Sequence, residues 1–501
     1  MWTKESKMKV ESFLPGWTVL IAVMGALLAS QTPASAETHY VDEVWELEYW
    51  AVQCNPYDEI VIAPGTYNMT KCLYMQNKQG VTVRGQTGVA SDVVLWGGGM
   101  NNASAIQECF QFVSTDMTLA DLTIEGYYNH AVHFQPAGDR CIVDNVTTLN
   151  IGEQHMKGAV NNDDCVIRNC KLYQTEARVC RPDHPVSPCN YIGGIDLHGA
   201  RRCEIYDNVV MDIMGADDGG DGGIFLWNAS QNCVIERNVV IGCCKGIELG
   251  NPSDQGVWQV QDSIVRNNFV LSRPNEDIGI ELCYTLNCKV YNNTVYRTGA
   301  PGSQDWNRTF HIDDNRFHET TNLDIQNNII RGGITDHTYS GGWTAAAVEA
   351  MGNIVDVAGT LVLPEWFVDP DNLNLHLTEL AIAAINAAVT LADVPEDIDR
   401  GPRPAGDFPD MGADEYGSPA GDANYDGKVD GLDYNVWSLH YQQAGNWGDG
   451  NFNSDALVDG LDYNVWSLNY GFGEGSHVPE PAFALLLTAG LGPILRRRRN
   501  G

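Results

Sequence analysis

Basic residues are scarce in this chain. Its 501 residues include 30 Lys and Arg but 65 Asp and Glu, which gives a formal net charge of −35 at pH 7. Binding to nucleic acid requires clustered Lys and Arg against the phosphates, so nucleic acid is excluded as an expected partner. The same charge repels acidic polysaccharides unless bound cations or a local basic patch intervene.

Cysteine is missing from both ends of the chain, since all 14 cysteines lie between Cys54 and Cys288. Their spacing does not follow the C-x₂-C pattern of a zinc site. Cys180 and Cys189 flank a short insertion, where a disulfide and two free thiols are both compatible with the sequence. Five others occupy one slot before an Asn in successive repeats, which indicates buried small residues: Cys141, Cys165, Cys203, Cys233 and Cys288.

Long apolar runs are absent, and two short ones stand near the ends of the chain. The run at 19–29 follows three lysines and precedes "ASA" at 34–36, which predicts a secretory signal peptide over 1–36. Near the other end, "VPEP", an apolar run that is short for a membrane span, and four arginines follow one another over 478–501. This order resembles the PEP-CTERM sorting signal, which implies export to the cell surface and only transient membrane contact. A plain C-terminal membrane anchor is the alternative.

The segment "VDGLDYNVWSL" occurs at 429–439 and, unchanged, at 458–468. Each copy ends an acidic loop whose oxygen-bearing side chains stand at positions 1, 3, 5, 9 and 12, the spacing that wraps one Ca²⁺. The first loop offers Asp422, Asn424, Asp426, Asp430 and Asp433, and the second offers Asn451, Asn453, Asp455, Asp459 and Asp462. We expect a helix after each loop, with Leu432, Val436 and Leu439 as the inward stripe of the first.

These paired loop–helix units resemble a type I dockerin over 418–471. The resemblance implies a small all-α module that binds Ca²⁺ and docks on a cohesin-like scaffold protein. The second loop departs from the family pattern, because Asn451 stands where Asp is usual and Ala456 replaces the turn glycine. We therefore expect the second calcium site to be the weaker one.

The central part repeats a short strand ending in Asn at 23–33-residue intervals, and a second strand precedes most copies. Stacked coils with asparagine turns are the expected structure: Asn208, Asn238, Asn268, Asn293 and Asn328. The pattern resembles the pectate-lyase-like superfamily, which implies an all-β, right-handed parallel β-helix. We assign 37–335 to the β-helix and 336–417 to its closing segment.

One outward column of the second strands carries groups suited to chemistry. We predict a polysaccharide-binding strip with catalytic candidates Lys157, Asp196, His198, Glu248 and Glu281, and substrate-binding candidates His133, Phe225 and Trp227. The acidic segment 215–223 rims this strip, and its Asp217, Asp218 and Asp221 are candidate Ca²⁺ ligands. "GIDLHG" at 194–199 is similar in part to the D-P-H-D site of alginate epimerases, but the proline and the second aspartate are missing.

Two classes of function fit this sequence. In the first, the protein is a glycan-degrading enzyme that is docked through its dockerin-like module. Its reaction is either hydrolysis by paired carboxylates such as Glu248 and Glu281, or β-elimination with Lys157 or His198 as the base and a cation screening the uronate. In the second class, it is a non-catalytic glycan-binding or adhesive protein of the cell surface. Fold alone does not choose between the two.

Overall fold

The structure is a computed structural model that describes residues 36–472, apart from 183, 185–186, 252–257, 274–275, 300–307, 315–317, 373, 406, 417–419, 425–427, 444, 446 and 453–456. Four groups of sequence predictions lie outside the described residues: almost all of the signal peptide, the sorting signal, Asp426, and the pair Asn453 and Asp455. Within the part that is described, no helix is long and apolar enough to cross a membrane.

The central region is a stack of coils, each built from short strands that pair in parallel with the coils above and below. One coil contributes Ile264–Arg266, Phe269–Ser272 and Ile278–Cys283. The last of these lies between Lys245–Leu249 of the preceding coil and Arg308–Asp313 of the next. This is a parallel β-helix, which confirms the predicted fold class, and the right hand is the sense that parallel connections adopt in nearly all proteins.

Two strands of each coil build a sheet that we call sheet 1, with twenty strands among the described residues. Its strands are Thr38–Val41, Glu59–Ile62, Gly65–Asn68, Thr82–Gly85, Val93–Trp96, Thr118–Glu125, Ile142–Leu149, Val166–Arg168, Lys171–Tyr173, Glu204–Tyr206, Val209–Met211, Val234–Glu236, Val239–Ile241, Ile264–Arg266, Phe269–Ser272, Lys289–Tyr291, Thr294–Arg297, Asp324–Gln326, Ile329–Arg331 and Ile354–Asp356.

The remaining strand of each coil builds sheet 2, which has ten strands in the described part of the chain. Its strands are Leu73–Gln76, Glu108–Val113, His130–Phe134, Gln154–Gly158, Gly193–His198, Gly222–Trp227, Lys245–Leu249, Ile278–Cys283, Arg308–Asp313 and Ile334–His337. A small parallel sheet joins Ser230–Gln231, Val260–Gln261 and Thr285–Leu286, and an antiparallel pair joins Phe367–Asp369 and Asn374–Leu377.

An asparagine ladder runs through the turns between the two strands that each coil gives to sheet 1. The side-chain amide of Asn238 donates to the side-chain oxygen of Asn268 at 3.0 Å, and Asn268 donates in the same way to Asn293 at 2.9 Å. The other predicted members, Asn208 and Asn328, continue the ladder, which ends one coil later at Asn353. The ladder is confirmed, and it satisfies the buried amides and the turn backbone together.

The five cysteines of the common slot are buried beside the ladder sheet, as predicted. Their sulfurs contact backbone carbonyl oxygens of the preceding coil, as in the 3.4 Å contact of Cys233 Sγ with Ala200 O. Cys180 and Cys189 form a disulfide. The structure therefore resolves the alternative that the sequence left open for this pair.

Short elements cover the two ends of the coil stack. The helix Val44–Gln53 lies at the first coil and buries Leu47 and Ala51. After the last coil, the helix Ala345–Ala350 precedes the final strand of sheet 1. The closing segment then folds back on sheet 1, where Trp366 and Phe367 belong to one buried apolar cluster with Tyr296 of a central coil. Three-residue 3₁₀ turns occur at Ala90–Asp92, Pro364–Trp366, Pro370–Asn372 and Trp447–Asp449.

The C-terminal module contains two helices, Gly431–His440 and Gly460–Asn469, at the places that the repeated segment predicts. Their contact is reciprocal, because Trp437 Nε1 donates to Asp459 O and Trp466 Nε1 donates to Asp430 O, both at 2.8 Å. The predicted inward stripe is confirmed for Val436, which packs against the buried cluster of the module. It is wrong for Leu432 and Leu439, which are 56% and 72% exposed, since the tryptophans and tyrosines fill the interface instead.

Candidate functional site

Sheet 2 carries one column of outward side chains in which the residue type changes at almost every coil. Strand register pairs His133 with Lys157, Lys157 with Asp196 and Asp196 with Phe225. It continues from Phe225 to Glu248, Glu281 and then His311. We call this set the mixed column: His133, Lys157, Asp196, Phe225, Glu248, Glu281 and His311. The structure brings together all the residues that the sequence analysis placed in the column.

Glycines at the starts of these strands let successive coils approach closely. A Cβ atom on Gly194 would collide with the carbonyl oxygen of Gly223 in the next coil. The same holds for Gly246 against Gly279, and for Gly279 against Thr309. Only glycine fits at such an approach, which explains the recurrent Gly-Ile before the mixed column. These glycines fix the register that aligns the column.

Asp196 is the centre of the first polar cluster on the column and is 1% exposed. One carboxylate oxygen accepts a hydrogen bond from the ammonium of Lys157. The other accepts from Trp227 Nε1 at 2.9 Å and lies 3.1 Å from His198 Nε2. Burial alone would raise the pKa of this carboxyl, but Lys157 and His198 outweigh burial and hold the pKa below its usual range. Asp196 is therefore an anion that orients the side chains around it.

Lys157 and Tyr191 flank the same carboxylate. Burial lowers the pKa of Lys157, but the Coulomb attraction of Asp196 exceeds that effect and the pKa is raised. The ammonium lies 5.6 Å from the centre of the Tyr191 ring. Burial is the main cause that raises the pKa of Tyr191. At neutral pH, Lys157 is thus a cation and Tyr191 is a neutral phenol, and His198 is the third side chain that lies beside Asp196.

The two predicted aromatic residues differ in exposure. Trp227 is half-buried, and its ring centre lies 4.1 Å from that of His198. Phe225 is only 3% exposed and stacks on Trp227 with ring centres 5.6 Å apart. The substrate-binding candidate Phe225 is therefore buried, and Trp227 is the more exposed ring of the stacked pair.

A second polar cluster holds Glu248 and Glu281 around Lys245. The ammonium lies 2.5 Å from a Glu248 oxygen and 2.6 Å from a Glu281 oxygen. Burial raises the pKa of Glu248 well above its usual value. For Glu281, burial acts in the same direction, but Lys245 outweighs it and lowers the pKa. The same ammonium and the same burial therefore push the pKa values of the two carboxyl groups in opposite directions.

His133 stands one coil before Lys157, in a third group. Its Nδ1 atom lies 3.1 Å from Glu108 Oε1 and 3.2 Å from Gln135 Nε2. His130, on the same strand, is buried and has its ring centre 5.3 Å from that of His133. The candidate substrate-binding residue His133 is thus part of a histidine–carboxylate group at the edge of the strip.

Sequence reasoning missed four participants of these clusters: Tyr191, Lys245, His311 and Glu108. Lys245 and Glu108 stand three residues before the column, and a strict two-residue alternation places such residues on the opposite face. The glycine after Lys245 marks a close approach of two coils and gives no signal for where the lysine side chain lies. Tyr191 comes two residues after the loop that the Cys180–Cys189 disulfide closes, in a segment that carries no periodic pattern.

The acidic segment that rims the strip does not gather its carboxylates. Asp217 and Asp218 are exposed, whereas Asp221 accepts a hydrogen bond from Gln154 Nε2 at 3.1 Å. The groups of metal-ligating side chains found in the described part of the chain lie elsewhere. The interpretation of these aspartates as Ca²⁺ ligands is not supported. Burial and the nearby Asp196 instead raise the pKa of Asp221 to about 6.

The two loops of the C-terminal module bury oxygen-bearing side chains. Asp422, Asp433 and Asp462 are 0% exposed, and Asn451 is 1% exposed. Asp433 and Asp462 also complete capping boxes with Asp430 and Asp459 at the starts of the two helices. Several carboxylates close together inside a small module suit a hard cation with oxygen ligands. Asn424 lies in the first loop as well, and the remaining predicted ligands are outside the described residues.

The geometry defines a parallel β-helix protein with a polar, ion-paired strip on one sheet. No protein-family model matches the chain, and no curated protein matches it. Three solved structures illustrate the similarity of fold. The pectate lyase Pel9A has a TM-score of 0.49 at 16% identity, covering 76% of this chain and 96% of its own.

An alginate lyase from a Paenibacillus species has a TM-score of 0.37 at 13% identity, with 60% of this chain and 99% of the other covered. The A-module of the mannuronan C-5 epimerase AlgE4 from Azotobacter vinelandii has a TM-score of 0.36 at 10% identity, with 60% and 92% covered. The chain is similar to these proteins in its coiled architecture, which the strand pairing establishes independently.

Proposed function

We propose that this protein acts on an acidic polysaccharide by removing a proton from a uronate ring, with His198 as the base and Tyr191 as the acid. The observation that carries the proposal is the fixed anion Asp196, which holds Lys157 on one oxygen and lies 3.1 Å from His198 on the other. A histidine oriented by a buried carboxylate is a competent general base near neutral pH.

The reaction uses these side chains in order. His198 takes the C5 proton of a uronate, and the electron pair moves onto the ring carbon beside the carboxyl group. In elimination, the bond from C4 to the glycosidic oxygen breaks and Tyr191 donates its proton to that oxygen. In epimerisation, the bond stays and C5 receives a proton on the opposite face. Both outcomes share the first step, and the clusters described above supply its base and its acid.

Hydrolysis is less well supported by the second cluster. A glycosidase places two carboxyl groups on either side of the scissile bond. The position between Glu248 and Glu281 is occupied by the Lys245 ammonium, at 2.5 and 2.6 Å. Both side chains are also 2% exposed. The sugar would have to displace a buried ion triad, which is costly when one partner is left without its charge.

Charge makes a cation part of this proposal. The chain carries a net charge of −35, and Lys157 and Lys245 are already paired with carboxylates. Calcium supplied with the substrate would screen the uronate carboxylates and make their C5 protons more acidic. Here Lys157 also keeps Asp196 ionised, so that His198 stays correctly placed. Trp227 offers its half-buried indole to the apolar face of a neighbouring sugar.

The remaining parts of the proposal concern location. The leader and the C-terminal signal support export to the cell surface. The two-helix module supports a calcium-dependent, dockerin-like attachment to a cohesin-like scaffold. Leu432, Leu439 and their copies Leu461 and Leu468 are exposed, and they give this module an apolar face on each helix for a protein partner.

The test is incubation of the exported protein with a panel of neutral and uronate polysaccharides, with and without Ca²⁺. We expect unsaturated products or inverted C5 centres with a uronate polymer, dependent on Ca²⁺. New reducing ends without unsaturation would favour hydrolysis. Binding without any product from any glycan would favour a non-catalytic surface protein.

A further inference from the structure

A histidine–carboxylate group on sheet 2 lies outside the proposed catalytic cluster. Glu108, His130 and His133 each offer one ligand atom, and these atoms lie within 4.8 Å of one another. His130 and His133 stand on one strand, and Glu108 pairs with His130 in the register of the preceding coil. We propose that these three residues bind one divalent first-row transition-metal ion, with Zn²⁺ as the best match. This site does not depend on the proposed function.

The donor set is the main reason for this choice. Two imidazoles and one carboxylate form a three-ligand zinc site that leaves a fourth position open. Around zinc, ligand atoms at about 2.0–2.1 Å from the metal lie roughly 3.3 Å apart in a tetrahedron. The Glu108 Oε1 and His133 Nδ1 atoms are already 3.1 Å apart. Small side-chain rotations therefore suffice to close the site.

The surroundings orient the ligands as a metal requires. His130 Nδ1 lies 2.9 Å from the backbone carbonyl oxygen of Gln154, so it carries the proton and leaves the Nε2 lone pair for a metal. A backbone carbonyl behind a ligating histidine is a common supporting contact at metal sites. Gln111 holds the other oxygen of Glu108, which fixes the carboxylate toward the two rings.

A nearby ion pair completes the surroundings. Glu153 lies 3.6 Å from His130 Nε2, and Arg181 lies 3.0 Å from the other oxygen of Glu153. The guanidinium also donates to the carbonyl oxygen of Met100 at 3.0 Å, which fixes its position beside Glu153. Glu153 is therefore held as an outer carboxylate next to His130.

Two other groups of possible ligands are less suited to a metal. In the group His311, Asp313 and His337, the guanidinium of Arg308 lies 3.2 Å from His311 Nε2. In the group His376, Asp399 and Asp414, both ring nitrogens of His376 face oxygens, at 2.5 Å from Asn374 and 2.8 Å from Asp399. In the first group, a cation lies where the metal would bind. In the second, both nitrogens of the imidazole already have hydrogen-bond partners, which compete with a metal.

The experiment uses the whole exported protein, freed of metal with EDTA and then saturated with Ca²⁺ to fill the acidic loops. Titration with Zn²⁺ is followed by calorimetry, and Co²⁺ is added to a second sample to record its absorption spectrum. We expect one Zn²⁺ per chain and a tetrahedral Co²⁺ spectrum without thiolate charge transfer. His133→Gln and Glu108→Gln should each weaken Zn²⁺ binding about tenfold or more.

His337→Gln is the matched control, because it removes a histidine from the other end of the same sheet. We expect it to bind Zn²⁺ like the wild type. The proposal is overturned if the wild type binds no Zn²⁺, if both site variants bind it unchanged, or if only the control loses it. Should His133→Gln fail to fold, Glu108→Gln and the wild-type titration decide the matter.

Discussion

Two stacks of buried polar side chains run along this β-helix, and they differ in one respect. The asparagine ladder repeats one residue type from Asn208 to Asn353, and each amide makes the same bonds as the last. The mixed column of sheet 2 changes residue at almost every coil. The uniform stack satisfies the same buried hydrogen-bonding groups at every coil, whereas the varied stack brings different chemical groups together. This variation within the repeat is the reason to place the proposed site on sheet 2.

The two loops of the C-terminal module show the same contrast at smaller scale. The repeated segments 429–439 and 458–468 are identical, and the helices that they form are capped in the same way. The loops before them differ at position 1, where Asp422 stands in the first and Asn451 in the second. The shared residues build the module, and the differing residue sets apart the two cation sites.

The largest effect is expected from the cluster around Asp196, which joins the mixed column to His198. His198→Gln should lower turnover of a uronate polymer by about 10²–10⁴-fold, because it removes the base while leaving the strand intact. The melting temperature and circular dichroism should match the wild type. His337→Gln, two residues beyond the column on a later strand, serves as the control and should keep full activity. An active His198→Gln variant would move the catalytic centre elsewhere.

A smaller effect is expected from the asparagine ladder, where a substitution should reduce stability and leave activity unchanged. Asn238→Ala should lower the free energy of unfolding by about 1–3 kcal/mol, since it removes the acceptor of the buried Asn208 backbone N–H and side-chain amide and one donor to Asn268. Denaturant titration measures the loss, and activity per folded molecule should not change. The exposed Asn55→Ala is the control. If the two variants had the same free energy of unfolding, the ladder would not stabilise the fold.

The calcium loops should respond to a single exchanged ligand. In the whole protein, Asp422→Asn should weaken the first site and Asn451→Asp should strengthen the second, each by about tenfold, because a carboxylate binds Ca²⁺ more tightly than an amide. Hydrogen exchange over the two helices, recorded against Ca²⁺ concentration, reports both sites separately. Removal of Ca²⁺ should lower protection in both helices. Equal protection with Ca²⁺ and with EDTA would contradict the calcium-binding assignment.

The smallest effect concerns pH. Burial and Asp196 raise the pKa of Asp221 to about 6, against about 3.9 in an unfolded chain. The folded state therefore binds the proton more tightly, and stability is lost as pH rises through 6. Asp221→Asn cannot ionise, so it should stabilise the protein by about 1 kcal/mol at pH 8 and by nothing at pH 4. A pH-independent difference in unfolding free energy would contradict this reading.

Much of this architecture is readable from the sequence because coils repeat. The spacing of Asn238, Asn268 and Asn293 predicts the ladder, and two-residue alternation predicts which side chains share the mixed column. Both predictions hold because successive coils have nearly the same backbone path. The helices of the C-terminal module are predictable for the same reason, since its two identical segments form two similarly capped helices.

Other features depend on contacts that no local pattern encodes. Lys245 reaches Glu248 and Glu281 although it stands three residues before the column, where two-residue alternation places a side chain on the opposite face. Tyr191 reaches Lys157 from an irregular loop. Leu439 faces outward because the reciprocal Trp437 and Trp466 contacts fill the helix interface, although its spacing resembles an inward stripe. In each case, tertiary packing decided where a side chain lies.

The most direct measurement of the central claim is proton exchange at C5 of a uronate polymer in deuterated water. We expect the wild-type protein with Ca²⁺ to place deuterium at C5 of inverted residues, or to release unsaturated products with a primary isotope effect for C5-deuterated substrate. His198→Gln should show neither result, and His337→Gln should behave like the wild type. Cleavage that leaves every C5–H bond intact would contradict proton abstraction by His198.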